Sequence, residues 1–217
     1  MIVEIIGPGG VGKTTVEPLV AERLGISYYP GRKRHGVHGE PVGGWRLWSG
    51  RLWSMLRRPG LSIAALGAHH GSARERAWFA MDICRRERNA ARSRRLGDGV
   101  VASGPLHALC MMMGATGSDV SAVLRRVTPA DVYVRLEADP DVVTQRLAGR
   151  LGQPETELNR HQEWMGRYEE ASADLLRRVG RPLIEVRADG APEQVANEIA
   201  GLVRPYFEQR PGNEARG

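Results

Sequence analysis

The chain has 217 residues, of which 41% are hydrophobic, and a formal net charge of +6. This length and apolar content are typical of a globular domain with its own core, and no apolar run approaches the roughly 18 residues that a membrane-spanning helix needs. The basic residues are spread along the chain and the two cysteines, Cys84 and Cys110, lack metal-ligand spacing, so we expect neither a nucleic-acid-binding protein nor a disulfide or zinc scaffold.

The N-terminal residues predict a strand, a glycine-rich loop and a helix in immediate succession. Residues 2–6 are Ile-Val-Glu-Ile-Ile, residues 7–14 are Gly-Pro-Gly-Gly-Val-Gly-Lys-Thr, and a helical pattern over residues 14–24 ends at Gly25. A loop of this spacing between a strand and a helix binds phosphates, because its N–H groups turn inward and the helix presents its positive end. We therefore expect a nucleoside triphosphate to bind here.

The residue types of the loop specify the expected contacts. Lys13 is one of only two lysines in a chain with 31 basic residues, and it stands where the pattern requires a compact ammonium group for the β- and γ-phosphates. The Thr14 hydroxyl is the expected Mg²⁺ ligand. The residues of this loop expected to bind the nucleotide are Gly9, Gly10, Val11, Gly12, Lys13, Thr14 and Thr15.

Residues 26–96 contain one predicted strand, a basic loop and two predicted helices. The strand covers residues 26–29, the loop residues 31–44, and the helices residues 45–56 and 73–96, with Pro59-Gly60 ending the first helix. That helix carries Trp45, Trp48 and Trp53. Packing is the default interpretation, and a membrane-surface contact, a homodimer interface or a cover over the acceptor are alternatives. We expect no stable membrane association.

The remainder of the chain alternates strands with helices. Strands are predicted at residues 100–103, 131–137 and 182–186, and helices at residues 106–113, 120–127, 139–150, 159–179 and 192–206. This alternation predicts an α/β fold of three layers, with a mostly parallel central sheet of about five strands and helices on both faces. We expect one domain over residues 1–206, with an insertion at about 31–72, a small lid at about 146–160, a flexible tail at 207–217, and a cytoplasmic location.

The order of these segments resembles that of thymidylate kinases and the related deoxynucleoside kinases, which have the P-loop NTPase fold. The likeness covers most of residues 1–203. Residues 131–140, Asp-Val-Tyr-Val-Arg-Leu-Glu-Ala-Asp-Pro, resemble the strand before the lid, and Arg146 and Arg150 match the Arg-x-x-x-Arg of the lid. Two arginines at this spacing share a helix face and can neutralise charge on a transferring phosphoryl group, although a solvated helix face is the alternative.

A second stretch of the resemblance concerns the acceptor. Residues 78–82, Trp-Phe-Ala-Met-Asp, resemble the thymidylate-kinase segment in which a helical Asp-Arg precedes a strand. Asp82 matches the Asp and is therefore a candidate for acceptor binding and catalysis. Ile83 replaces the Arg, for which Arg85 or Arg86 could substitute.

A third stretch concerns the adenine. Residues 184–195 resemble the last strand and loop of these kinases, where the loop backbone lies beside the base. The resemblance implicates residues 188–192, and among them Ala188 and Ala191, in contacts made by main-chain groups. A plain helix start is the alternative interpretation.

A fourth stretch, Glu-Pro-Val-Gly-Gly-Trp at residues 40–45, resembles the Glu-Pro-Val-x-x-Trp of deoxynucleoside kinases. In that family the Glu takes the proton from the sugar hydroxyl and the Trp lines the substrate pocket. Glu40 is therefore the candidate base and Trp45 a candidate pocket residue. The stretch lies behind a basic insertion at residues 32–35, and a loop turn before a helix is the alternative.

The residues after the third predicted strand depart from both families. The families place an acidic residue and an arginine there, where this chain has Ser-Gly-Pro at residues 103–105. Candidates for the missing acid are Asp82, Glu40 and Asp98. Ser103 is a candidate for binding a metal-bound water, and His107 for facing the acceptor, although a lone histidine is more often structural.

The sequence therefore predicts a kinase that uses ATP and Mg²⁺ to phosphorylate a small-molecule acceptor, a nucleoside or nucleotide by resemblance. Lys13, Arg146 and Arg150 are expected to act on the phosphates, and Glu40 or Asp82 on the acceptor. A hydroxyl acceptor requires the base Glu40, whereas a monophosphate requires no strong base. Two alternatives stay open: a kinase of a non-nucleotide hydroxyl such as a sugar or an antibiotic, and a nucleotide-dependent switch or ATPase without an acceptor.

Overall fold

The computed structural model describes residues 1–30, 52–151 and 155–209, with side chains except at 147–151 and 155–162. The strands in this part are β1 (Ile2–Ile6), β2 (Ser27–Tyr29), β3 (Gly99–Ala102), β4 (Val132–Glu137) and β5 (Leu183–Arg187). The helices are α1 (Lys13–Leu24), α2 (Pro59–Ala68), α3 (Ala73–Leu96), α4 (Pro105–Thr116), α5 (Ser121–Leu124), α6 (Pro140–Leu151), α7 (Glu155–Val179) and α8 (Pro192–Glu208). Residues 52–56 are also helical.

The five strands form one parallel sheet in the order β2-β3-β1-β4-β5. Strand β1 is central, and its Val3 lies opposite Val100 of β3 and Val132 of β4. Since parallel strands end at the same edge of a sheet, the residues that follow β1, β3 and β4 meet there. The phosphate-binding loop and Ser103 therefore share one edge, and the predicted parallel α/β sheet is confirmed.

Apolar layers cover both faces of the sheet, because successive side chains of a strand point to opposite faces. Ile2 and Ile6 of β1 belong to a core that includes α2, α3, α4 and α7. Val3 and Ile5 belong to a second core with α1 and α8. The alternation places Glu4 on the same face as Ile2 and Ile6, which is the α4 side of the sheet.

Two differences from the predicted helices stand out. The helix at residues 52–56 ends before Pro59-Gly60, as predicted, but Pro59 also begins the additional helix α2, because proline is accommodated at the first helical position, where its missing N–H would have no intrahelical acceptor. Helix α7 begins at Glu155, four residues before the predicted start at residue 159. Glu40 and Trp45 lie outside the described residues. In the described parts of the chain, no helix is both long and apolar enough to span a membrane.

Candidate active site

The loop between β1 and α1 depends on its glycines. Gly10 and Gly12 have φ angles of 85° and 102°, a region that other residues adopt only with strain. A Cβ at Gly7 would lie 2.8 Å from the Leu136 carbonyl oxygen, so the close approach of the loop to β4 also requires glycine. Local backbone chemistry therefore produces the turn that the sequence predicted.

Lys13 is the cation of this loop and is only 9% exposed. Its ammonium group donates hydrogen bonds to the carbonyl oxygens of Gly7 and Pro8, each at 2.6 Å. Burial lowers the pKa of Lys13 to about 8, against the opposing attraction of Glu17. The ammonium therefore stays largely charged at neutral pH, in a position fixed by the loop backbone.

A cavity of about 520 Å³, the loop cavity, opens over the phosphate-binding loop. Arg146 of α6 lines it and donates hydrogen bonds to the carbonyl oxygens of Ala188 at 3.0 Å and Val11 at 3.4 Å. The arginine thereby joins the loop to the segment between β5 and α8. The lining residues described are those at 9–16, Arg146, Ala188, Gly190, Pro192 and Val195.

Three other residues predicted to bind the nucleotide lie in or next to this cavity. Thr14 and Thr15 line it and are exposed. Ala191 is the N-cap of α8, between the lining residues Gly190 and Pro192, but is not itself a lining residue. Arg150 lies one turn after Arg146 in α6, and its side chain is outside the described part of the structure.

A second cavity of about 430 Å³, the α3–α4 cavity, lies between those two helices. Its walls are largely apolar and aromatic, with a few charged side chains. Such a combination suits a flat ring with polar edges. The lining residues used below are Trp78, Phe79, Asp82, Arg86, His107, Met111 and Met112.

Asp82 in the α3–α4 cavity is held by two arginines on its own helix. Its Oδ1 accepts a hydrogen bond from Arg85 at 2.7 Å and its Oδ2 one from Arg86 at 2.6 Å. Burial raises the pKa of Asp82, but Arg86 and Arg85 outweigh it and bring the pKa below its usual value. Both arginines that could substitute for the one replaced by Ile83 therefore contact Asp82, and the carboxylate is too well paired to act as a strong base.

The turn after β3 contains the residues where an acid was missing. Ser103 has a φ of 47°, and its carbonyl accepts a hydrogen bond from Arg86. A Cβ at Gly104 would lie 2.5 Å from the Glu4 carboxyl, so the Glu4 carboxyl lies where a side chain at residue 104 would begin. Glu4 also accepts the His107 N–H at 2.9 Å, which caps the third residue of α4.

The buried carboxylates of Glu4 and Glu17 were both missed from the sequence. Burial raises the pKa of each to about 7. Glu17 lies one turn after Lys13 and accepts a hydrogen bond from the Tyr28 hydroxyl at 3.1 Å. In the sequence, Glu4 is a lone carboxylate within an apolar strand. Glu17 follows Val16 on the buried face of α1, where a carboxylate is also unusual.

Asp98 is wrong as a candidate for the missing acid. It precedes β3 and pairs with the N-terminal ammonium of Met1. Both groups stand at the amino ends of parallel strands, at the edge of the sheet opposite the phosphate-binding loop. The position of Asp98 next to a predicted strand did not indicate at which edge of the sheet its carboxylate would lie.

His107 and Tyr168 connect the glycine-rich loop to the α3–α4 cavity. His107 is 8% exposed, and burial lowers the pKa of its imidazole well below the usual value, so the ring is neutral. Its Nδ1 lies 2.8 Å from the Tyr168 hydroxyl, which also accepts the N–H of Gly7 at 3.1 Å. The hydrogen-bonded chain thus runs from the phosphate-binding loop to the α3–α4 cavity. Tyr168, missed from the sequence, comes from the distant helix α7.

Comparison with known proteins yields structural relatives only, since no family model and no curated protein sequence matches the chain. Deoxyadenosine kinase from M. mycoides with bound dATP is similar at 14% identity and a TM-score of 0.53, covering 94% of this chain and 100% of the kinase. The YorR protein from Bacillus subtilis, in complex with phosphorylated GDP, is similar at 16% identity and a TM-score of 0.56, covering 97% and 99%. Identities this low establish the fold alone: the chain has the P-loop fold found in nucleoside and nucleotide kinases.

Proposed function

We propose that the chain is a kinase that transfers the terminal phosphate of ATP, bound in the loop cavity, to an acceptor whose aromatic ring occupies the α3–α4 cavity. The observation that carries this proposal is the pair of cavities, together with the hydrogen-bonded chain from Gly7 of the loop through Tyr168 to His107 of the α3–α4 cavity. A nucleotide switch needs only the first cavity, whereas a kinase needs both.

The loop cavity has the donors that a triphosphate requires. Backbone N–H groups of residues 9–15, the N-terminus of α1 and the Lys13 ammonium would bind the phosphate oxygens. The exposed Thr14 hydroxyl would hold Mg²⁺, which retains most of its water and needs few protein ligands. When bound, Mg²⁺ neutralises phosphate charge. Arg146, on the proposed lid helix α6, would add a further positive charge.

The α3–α4 cavity favours a nucleoside or nucleotide over a plain sugar. Phe79 gives it an aromatic ring and Met111 and Met112 give it polarisable apolar walls, which suit a nucleobase. Asp82 and Arg86 supply a carboxylate and a guanidinium that could bind the polar edge of the base. The structural relatives named above are described with nucleotides bound, which agrees with an acceptor of this class.

Labelled ATP tests the proposal. The protein is incubated with γ-labelled ATP, Mg²⁺ and a panel of nucleosides, nucleoside monophosphates and sugars. We expect label in a phosphorylated nucleoside or nucleotide. Label that reaches only free phosphate with every acceptor would contradict the kinase assignment.

The same assay identifies the reacting group of the acceptor. Glu40→Gln is expected to lower turnover of a hydroxyl acceptor by about 10²-fold or more, because general-base catalysis contributes 10²–10⁴-fold. Unchanged turnover with a nucleoside would remove Glu40 from the site. A monophosphate acceptor would be phosphorylated at a similar rate by both forms.

A further inference from the structure

We propose that Tyr168 fixes His107 in the tautomer that carries its proton on Nε2, and that this N–H donates a hydrogen bond to a carbonyl oxygen on the base of the acceptor. The inference rests on the proposed function and adds a rule of specificity to it. His107 is the residue that contacts the acceptor, and Tyr168 is a positioning residue that acts through His107.

The Tyr168 hydroxyl stands between two fixed groups. It is fully buried, receives the N–H of Gly7 at 3.1 Å and lies 2.8 Å from His107 Nδ1. A hydroxyl has one proton to donate. Since the Gly7 N–H is necessarily a donor, the hydroxyl accepts on that side, and its own proton remains available for a neighbour.

The imidazole nitrogen is the better acceptor for that proton. His107 is neutral because of its burial, so one of its two nitrogens lacks a proton. The other group beside the hydroxyl is the Cys110 thiol, whose sulfur is a weak acceptor. The hydroxyl therefore donates to Nδ1, and the proton of the ring is left on Nε2.

The Nε2 of His107 borders the α3–α4 cavity. His107 lines that cavity, and Nε2 has no hydrogen-bond partner within the described parts of the chain. It is also not one of the enclosed, unpartnered polar atoms found in those parts. A neutral N–H donor thus opens into a cavity whose other walls are mostly apolar.

Packing holds the donor in place. The Glu4 carboxylate accepts the backbone N–H of His107 at 2.9 Å, which anchors the first turn of α4. Further along α4, a Cβ at Gly114 would lie 3.1 Å from the Tyr168 Cα, so glycine allows α4 and α7 to approach closely. The separation of the His107 ring from the Tyr168 hydroxyl is therefore set by two helices rather than by a flexible loop.

This arrangement selects acceptors by one atom. A base that presents a carbonyl oxygen to His107 gains a hydrogen bond, whereas a base without that oxygen leaves the N–H unpaired. The probes are two pairs of nucleosides that differ by one carbonyl oxygen and by the proton on the adjacent ring nitrogen: inosine with purine riboside, which lacks the 6-oxygen, and uridine with the riboside of pyrimidin-2-one, which lacks the 4-oxygen.

Calorimetric titration, with a non-hydrolysable ATP analogue present, measures the affinity for each member of the pairs. We expect the wild type to prefer one oxygen-bearing nucleoside over its partner by roughly fivefold to tenfold. Tyr168→Phe should reduce this preference to less than about twofold, because His107 can then place its proton on either nitrogen. Equal preferences in the two proteins would overturn the proposal, as would the absence of any preference or binding in the wild type.

Two variants at His107 separate this role from a purely structural one. His107→Phe leaves the Gly7 hydrogen bond to Tyr168 in place and should abolish the preference, which keeps the test decisive if Tyr168→Phe folds poorly. His107→Gln retains an N–H donor, so it should restore the preference and make it insensitive to Tyr168→Phe. A structural role alone would weaken both members of each pair equally. Phosphate transfer without any preference contradicts this inference, and preference without transfer contradicts the kinase proposal.

Discussion

The loop cavity and the α3–α4 cavity are built in different ways. Residues 9–16 supply most of the first cavity, and their contribution is backbone N–H groups in a glycine-dependent turn. The second is built from side chains of α3 and α4, which are separated in the chain by β3. A continuous motif thus encodes the loop cavity, whereas the α3–α4 cavity exists only after the sheet has brought distant helices together.

The two cavities also differ in the net charge of the side chains that line them. The Lys13 ammonium of the loop cavity is paired with neutral carbonyl groups, so its positive charge can attract an anion. The charged side chains that line the α3–α4 cavity balance one another, since they are two arginines and two carboxylates. This contrast predicts a triphosphate for the first cavity and a ring with little net charge for the second, and the substitutions below test it.

The largest expected effect comes from Lys13→Ala. Removal of the Lys13 ammonium from the loop cavity should lower the rate of phosphate transfer by roughly 10³-fold, as for other groups that stabilise transition-state charge. Initial rates with labelled ATP measure it. Lys13→Arg is the matched control, and it should recover little, because a planar guanidinium does not replace a compact ammonium in this loop. A decrease of the transfer rate by tenfold or less in Lys13→Ala would indicate that the phosphates of ATP do not bind beside Lys13.

The second largest effect concerns the turn that begins α4. Gly104→Ala places a methyl group 2.5 Å from the Glu4 carboxyl, which should lower the free energy of unfolding by about 1–3 kcal/mol. Urea denaturation measures the change. The control is Gly67→Ala in α2, where, apart from the backbone of α2 itself, no atom of the described residues lies within 4 Å of the added methyl group, and alanine should stabilise the helix by about 0.5 kcal/mol. Equal stability of the two variants would contradict the described position of Glu4.

The third effect is a pH dependence caused by Glu4. Burial raises the pKa of this carboxyl from 4.5 to about 7, so between these values the folded protein holds a proton that the unfolded chain releases. The stability of the wild type relative to Glu4→Gln should therefore fall by roughly 2 kcal/mol as the pH rises from 5 to 8. Denaturation of both proteins across this range measures the difference. A difference that is constant with pH would contradict the raised pKa.

The smallest effect is expected for Phe79→Leu in the α3–α4 cavity. Leucine keeps most of the apolar volume but removes the ring face, so the affinity for a nucleoside acceptor should fall roughly tenfold, in line with an aromatic stacking contribution of about 1.4 kcal/mol. The affinity for ATP should not change, because Phe79 does not line the loop cavity. Calorimetry with each ligand separates the two outcomes. A loss of affinity for ATP alone would indicate that ATP, and not the acceptor, binds in the α3–α4 cavity.

The same contrast explains what the sequence could predict. The mostly parallel α/β sheet and the glycine-rich loop follow from local patterns, namely the alternation of elements and a contiguous motif ending in Lys13-Thr14. The positions of Asp82 and Arg146 at the two cavities agree with expectations drawn from a family resemblance. Helical spacing within α3 is also sufficient to place Arg85 and Arg86 beside Asp82.

What the sequence could not predict depends on contacts between distant residues. Tyr168 reaches Gly7 across 161 positions, and Glu4 reaches His107 across 103. No local pattern encodes either pairing. Asp98 is wrong as a candidate for a related reason. An acid next to β3 can reach the glycine-rich loop only from the carboxyl end of the strand, and Asp98 lies at the amino end. Which end faces the loop is decided by the assembled sheet.

A single-turnover reaction tests most directly whether the two cavities form one site. The protein is mixed in excess with γ-labelled ATP and the acceptor that the panel identifies, and the label in acceptor and in free phosphate is followed over time. We expect that label enters the acceptor faster than it enters free phosphate, and that Lys13→Ala abolishes this transfer. Release of free phosphate at a rate that the acceptor does not alter, with no label in the acceptor, would contradict it.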